Sequence, residues 1–131
     1  MCYTKPMADT KKNIMIIEDD KFLSSLIEAR LEKDSFGVSQ AFDGDEAIKL
    51  LREGKPDLIV LDLIMPKVSG FEVLEAISLD PQLNKIPVVI LSNLAQDSDI
   101  EKAKSLGATE YFVKVRVSID DLINKVRTIV K

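Results

Sequence analysis

At 131 residues, 46% hydrophobic and 31% charged, the chain has the size and composition of one globular domain with a real core. Its net charge of −4 (18 basic against 22 acidic residues) gives no reason to expect direct nucleic-acid binding, and no apolar run approaches the roughly 18 residues of a membrane span. With no histidine and one cysteine, Cys2, the chain excludes a Ser-His-Asp triad, a histidine-ligated zinc, a phosphohistidine of its own and an internal disulfide.

Residues 1–12 lack the apolar segment of a signal peptide and are expected to be a disordered tail or an expression remnant ahead of a domain over 13–131. A cytoplasmic location is the simplest expectation. Ile14-Met15-Ile16-Ile17 is the first strand-like run, followed by Phe22, Leu23, Leu26, Ile27 and Leu31 at helical spacing. Val38 to Phe42 reads as a weaker, more polar strand. Ala47, Ile48 and Leu51 then mark a helix whose start is bracketed by Asp43 and Glu46 as a capping-box-like pair. Leu58-Ile59-Val60-Leu61 is a continuous apolar run ending in Asp62, and Pro66 stops regular structure shortly after. A helix over 70–79 carries Phe71, Leu74 and Ile77. Val88 to Leu91 is the next run, and Ser98 with Glu101 offers a capping box for a helix ended by Gly107. Tyr111-Phe112-Val113 is a fifth strand, and Ser118 with Asp121 caps a last helix with Ile119, Leu122, Ile123, Val126, Ile129 and Val130 as its stripe.

Five strand-helix units without repeat or linker predict an α/β fold with a parallel sheet covered on both faces. The first, third and fourth runs are apolar throughout, as central strands are, whereas the second and fifth read as edges. A doubly wound (βα)5, flavodoxin-like sheet of order 2-1-3-4-5 satisfies this.

In such sheets ligands bind outside the carboxyl ends of the strands. Here those ends deliver Glu18-Asp19-Asp20, Asp62, Ser92 and Lys114. Asp20 doubles as a helix N-cap, which is its simpler reading. An unpaired aspartate is costly in a core, so Asp62 is expected to face a solvated cleft. Clustered carboxylates call for a cation or a proton, and a hard divalent ion such as Mg²⁺ suits them. A carboxylate beside such an ion is a nucleophile toward phosphorus, with Lys114 and the Ser92 hydroxyl placed to stabilise the transferring charge.

These pieces resemble the receiver domain of two-component response regulators. The matching stretches are Ile17 to Asp20, Leu61 to Pro66 with Gly70, Ile86 to Ser92, and Gly107-Ala108 followed by Tyr111 to Lys114. The resemblance implies that Asp62 is the phosphoacceptor, and that Glu18 and Asp19 hold Mg²⁺ together with Asp62 and the backbone carbonyl of Ile64. It implies that Ser92 follows the phosphoryl group, that Lys114 pairs with it, and that Tyr111 is the switch aromatic. It further implies a histidine kinase or histidine phosphotransfer protein as donor, and a downstream protein responding to the surface of the fourth helix, fifth strand and fifth helix. The chain is expected to be a stand-alone receiver or one excised from a larger regulator.

The family usually has proline after the lysine, where this chain has Val115, a change that bears on how Lys114 is aimed. Ile64 and Leu94, two residues beyond Asp62 and Ser92, are apolar and cannot position an attacking water, so slow loss of the phosphoryl group is expected. A degenerate receiver that no longer uses phosphate is the alternative. A phosphatase of the haloacid dehalogenase type would need a second aspartate where Ile64 stands, and the first loop has no G-x-G-x-x-G or P-loop pattern.

Overall fold

The computed structural model describes residues 11–130. Lys11 and Lys12 are exposed and outside any strand or helix, and the rest of the expected tail, Met1 to Thr10, lies outside the described residues, as does Lys131. The elements are β1 (Asn13–Ile17), α1 (Lys21–Lys33), β2 (Gly37–Ala41), α2 (Gly44–Glu53), β3 (Leu58–Leu61), α3 (Gly70–Leu79), β4 (Val88–Ser92), α4 (Asp97–Ser105), β5 (Glu110–Val113) and α5 (Ile119–Val130). A single 3₁₀ turn, Lys114–Arg116, leads out of β5.

The five strands pair in parallel in the order β2-β1-β3-β4-β5, the expected doubly wound sheet. Alternation along each strand divides the core into two layers. Met15, Ile17, Ile59, Leu61, Val88 and Ile90 face α2, α3 and α4, packing with Ala47, Leu51, Val73, Leu74, Ile77 and Ala103. Ile14, Ile16, Leu58, Val60, Val89 and Leu91 face α1 and α5, packing with Ile27, Leu31, Leu122, Ile123 and Val126. β1, β3 and β4 need apolar residues at nearly every position because both of their faces are covered.

Most helix boundaries follow local chemistry. Asp20 caps α1, its carboxylate accepting from the Phe22 and Leu23 N–H groups at 3.0 and 3.1 Å. Ser118 and Asp121 form the expected reciprocal box at the start of α5. At α2, Asp43 accepts from the Glu46 N–H, but Glu46 reaches back one residue further, to the Phe42 N–H. Ser69 and Glu72 cap α3 in a full box.

Two expectations are corrected. α4 begins at Asp97 after Gln96, which makes no side-chain cap bond, so Ser98 and Glu101 lie inside the helix and do not start it. Phe22 and Leu26 do not belong to the buried stripe of α1: they are 74% and 40% exposed. The stripe is Ser24, Ile27 and Leu31, and Ser24 tolerates burial because its hydroxyl accepts from Gln40 Nε2 at 2.8 Å. A polar residue with a partner on β2 thus rotates the helix away from its apolar neighbours.

The ends of α1 and α4 use the same Schellman arrangement with different residues. After α4, Gly107 takes φ +104°, with Gly107 N–H on Lys104 and Ala108 N–H on Ala103. After α1, Ser35 takes φ +70°, with Ser35 N–H on Glu32 and Phe36 N–H on Leu31. Serine is strained there by roughly 1 kcal/mol, of which glycine relieves more than it costs in unfolded-chain entropy. Ser35→Gly is expected to stabilise the fold by about 0.5 kcal/mol, a rise in Tm of about 2 °C by calorimetry. An unchanged or lower Tm would show that the serine is not strained.

Candidate functional site

Glu18, Asp62 and Lys114 each stand one residue beyond a strand, β1, β3 and β5 in turn. Continuing the strand alternation by one residue puts all three in phase with Ile16, Val60 and Phe112, on the side of α1 and α5. The same phase explains their convergence. Lys114 Nζ lies 2.9 Å from Glu18 Oε1 and 3.1 Å from Asp62 Oδ2. The second oxygen of each carboxylate is held by the main chain: Asp20 N–H donates to Glu18 Oε2 at 3.1 Å, and Ile64 N–H donates to Asp62 Oδ1 at 3.2 Å. Carboxylate oxygens of Glu18, Asp19 and Asp62 all lie within 4.8 Å of one another.

Asp62 is buried, at 4% exposure, so the expected solvated cleft is corrected. The ammonium and the amide donor make that burial tolerable. Asp19, by contrast, is exposed at the mouth of the cluster. Ile64 follows Asp62 in the loop with its side chain 54% exposed.

Gly70 sits behind Asp62. Its N–H donates to the Leu63 carbonyl at 2.9 Å, and a Cβ there would collide with the Asp62 carbonyl oxygen and Leu63 Cα. Any side chain at this position would push the strand exit out of place.

Burial pushes Glu18 up to about 7, with the Lys114 hydrogen bond working against it and the Asp62 charge adding to it. Three carboxylates thus gather around one lysine. Burial also disfavours the Lys114 ammonium, but its hydrogen bonds and the charges of both carboxylates outweigh that and hold it above the ordinary lysine value. Val115 in the place of proline does not turn Lys114 from the site; the valine itself points to solvent, 81% exposed.

Ser92 and Tyr111 lie on the other side of the sheet, in phase with Ile90, to which Tyr111 is paired. Ser92 is fully buried, and its Oγ accepts from the Leu94 N–H at 3.3 Å and does not bond Asp62. Tyr111 is half-buried and donates its hydroxyl to the Leu94 carbonyl at 2.7 Å. Its pKa is raised by burial and by the Asp99 charge, against a lowering influence of the nearby Ser92 hydroxyl. The sequence-derived residues thus form two groups. Lys114 bridges Glu18 and Asp62, with an Asp19 carboxylate oxygen within 4.8 Å of theirs, while Ser92 and Tyr111 meet at Leu94. That carbonyl had no signal in the sequence, because a backbone acceptor carries none.

A family model described as the response regulator receiver domain matches residues 14–127. The chain belongs to the response regulator receiver family. As a receiver domain it is part of a two-component signalling family and not of a family of metabolic enzymes. Among curated relatives, the DNA-binding dual master transcriptional regulator RpaA of Synechocystis is 36% identical over 118 residues, which are 90% of this chain and 48% of that protein. The receiver spans about half the length of the curated relatives it matches, between 41% and 52% for those considered. Among solved structures, the phosphorylated cyanobacterial phytochrome response regulator RcpA is 37% identical with a TM-score of 0.78, covering 91% of each chain. The Mn²⁺-bound response regulator Rcp1 is 32% identical with a TM-score of 0.78, covering 90% of this chain and 91% of that one.

Proposed function

We propose that this receiver accepts a phosphoryl group on Asp62 from a histidine kinase or histidine phosphotransfer protein and signals through the α4-β5-α5 surface. The observation that carries the reading is the convergence of a buried aspartate, two further acids and one lysine at the ends of three strands. Phosphorylated RcpA, similar over nearly the whole chain, supports it.

The donor set fits a hard divalent cation: three carboxylates, one of them exposed, against a single lysine. The Mn²⁺-bound relative supports the same reading. Glu18, Asp19, Asp62 and the Ile64 carbonyl would hold Mg²⁺, which supplies charge neutralisation on the phosphoryl oxygens. Asp62 supplies the nucleophile. One of its carboxylate oxygens bonds to phosphorus as the P–N bond of the donor phosphohistidine breaks, leaving an acyl phosphate and a free imidazole. Lys114, already on Asp62 Oδ2, stabilises the added charge. The Ser92 hydroxyl then turns from the Leu94 N–H toward the phosphoryl group, and Tyr111 is the aromatic placed to register that movement.

The partner carries the histidine, since this chain has none. Downstream, an effector domain or a separate protein would respond; direct DNA contact by the receiver itself is not part of the reading. A cytoplasmic location is part of it, and among the described residues no helix is long and apolar enough to cross a membrane. The aim of Lys114 favours this reading over a receiver that no longer uses phosphate.

The test is incubation with Mg²⁺ and acetyl phosphate followed by intact-mass measurement. Addition of one phosphoryl group is expected; a folded, Mg²⁺-binding chain that gains none would overturn the proposal. Loss of the group after donor removal is expected to be slow, because Ile64 and Leu94 give no hydrogen bond to water. Ile64→Asn should speed that loss about ten-fold, less than the ~10²–10⁴ of a full general base. Equal lifetimes in the two proteins would remove position 64 from the account.

A further inference from the structure

The β2–α2 corner, Phe42-Asp43-Gly44, contributes no acid to the cluster yet touches both loops that do. On one side, Ala41 just before it at the end of β2 accepts the Glu18 N–H at 3.0 Å, and Lys21 Nζ, at the start of α1 just after the Glu18 loop, stands 5.2 Å above the Phe42 ring. On the other side it meets the Asp62 loop. Asp43, the α2 cap, faces Lys67 at 3.8 Å, and Gly44 packs against Val68. A Cβ on Gly44 would lie 2.7 Å from Val68 Cβ, 2.8 Å from its carbonyl oxygen and 2.9 Å from Cγ1. Turning the valine side chain relieves only the Cγ1 contact, because the Cβ and the carbonyl oxygen are fixed by the Val68 backbone, so the loop itself would have to move.

We infer that this corner is a brace that sets the spacing of the two acid-bearing loops, and that Gly44 is a positioning residue acting on Asp62 and Ile64 through Val68. The inference rests on the phosphoacceptor reading for its functional consequence and on packing alone for its geometry. The loop has little slack to absorb a push. It is pinned at its far end by Gly70 against Asp62, and Lys67 within it already holds φ +68°, a conformation that few side chains adopt. Ligand positions tolerate only small displacements before cation affinity falls, as residues behind first ligands commonly show.

The substitution has a useful internal contrast. Alanine is a better helix former than glycine, so on local grounds Gly44→Ala would favour α2. Gly54→Ala, at the other end of the same helix, makes the same chemical change where nothing lies within 4 Å. Val68→Ala loosens the brace from the loop side and guards against a Gly44→Ala chain that fails to fold.

Two readouts on the full chain decide the matter. In Mg²⁺-free, ¹⁵N-labelled protein, the Ile64 and Val68 amide resonances should move in Gly44→Ala and Val68→Ala, and not in Gly54→Ala. The Mg²⁺ concentration for half-maximal phosphorylation by acetyl phosphate should rise about ten-fold in the first two and stay unchanged in the third. An Ile64 amide unmoved in both brace variants overturns the inference. A moved amide with unchanged Mg²⁺ dependence overturns the positioning role. A wild-type chain with no Mg²⁺ dependence at all overturns the phosphoacceptor reading and this consequence with it, while the amide shifts still report the brace.

Discussion

Asp62→Asn is expected to reduce phosphoryl incorporation from acetyl phosphate to background while leaving the chain folded, with a stability change smaller than that of a core truncation. The amide occupies the same volume and keeps the acceptor that the Ile64 N–H uses, but its Nδ2 then stands where Oδ2 accepted from Lys114, so that hydrogen bond is lost and the lysine keeps Glu18 alone. What disappears with that bond is the nucleophile and one negative charge. That charge is among the causes that push Glu18 upward, so its removal lets Glu18 ionise more readily beside Lys114. Intact mass reads the first effect and calorimetry the second. Phosphoryl incorporation that survives would place the acceptor on another residue. A stability loss comparable to that of a core truncation would mean that Asp62 is chiefly a structural ion-pair partner.

Lys114→Met should cost stability, and in a pH-dependent way. Lys114 bridges two carboxylates that are almost wholly buried, and removing one partner of such a group leaves uncompensated charge. Because the lysine is itself 20% exposed, the usual cost is discounted here to about 2 kcal/mol at pH 8. At pH 5 the cost should be smaller, because Glu18 then carries a proton. The wild type already contains this dependence. Glu18 is raised in the folded state to about 7 from 4.5, so the fold holds more protons than the unfolded chain between those values. Its contribution is fully present below pH 4.5 and is lost as pH rises through 7. The Lys114 shift acts above the ordinary lysine value, outside this window. Wild-type Tm in metal-free buffer should therefore fall from pH 5 to pH 8, the variant should fall more steeply, and millimolar Mg²⁺ should restore part of the loss at pH 8. A variant equally destabilised at both pH values would detach the effect from Glu18.

The elements that were legible in the sequence are those whose signal is local. Continuous apolar runs at 14–17, 58–61 and 88–91, too short for helices and separated by amphipathic segments, read as strands covered on both faces, and the mixed run at Val38 and the short one at Tyr111 mark the edges. Strand order followed from that, and the order placed Glu18, Asp62, Ser92 and Lys114 along one edge of the sheet. Caps at Asp20 and Ser118 were equally local, since a side chain and an amide three residues on suffice to form them. The start of α4 was misplaced for the converse reason. Ser98 and Glu101 have cap chemistry, but the main chain turns helical one residue before that pair could act.

By itself, the sequence determined the strand order, the edge at which the reactive groups collect and the kinds of chemistry they permit, because each depends on residue type and spacing along one segment. The tertiary structure alone decided which of those groups meet. Strand phase put Glu18, Asp62 and Lys114 on one side and Ser92 with Tyr111 on the other; Gln40 let polar Ser24 join Ile27 and Leu31 on the buried face of α1; and the close approach of Gly44 to Val68 tied an acid-free corner to the acid-bearing loop. Those decisions depend on contacts between segments distant in sequence, and no single segment encodes both partners of a contact.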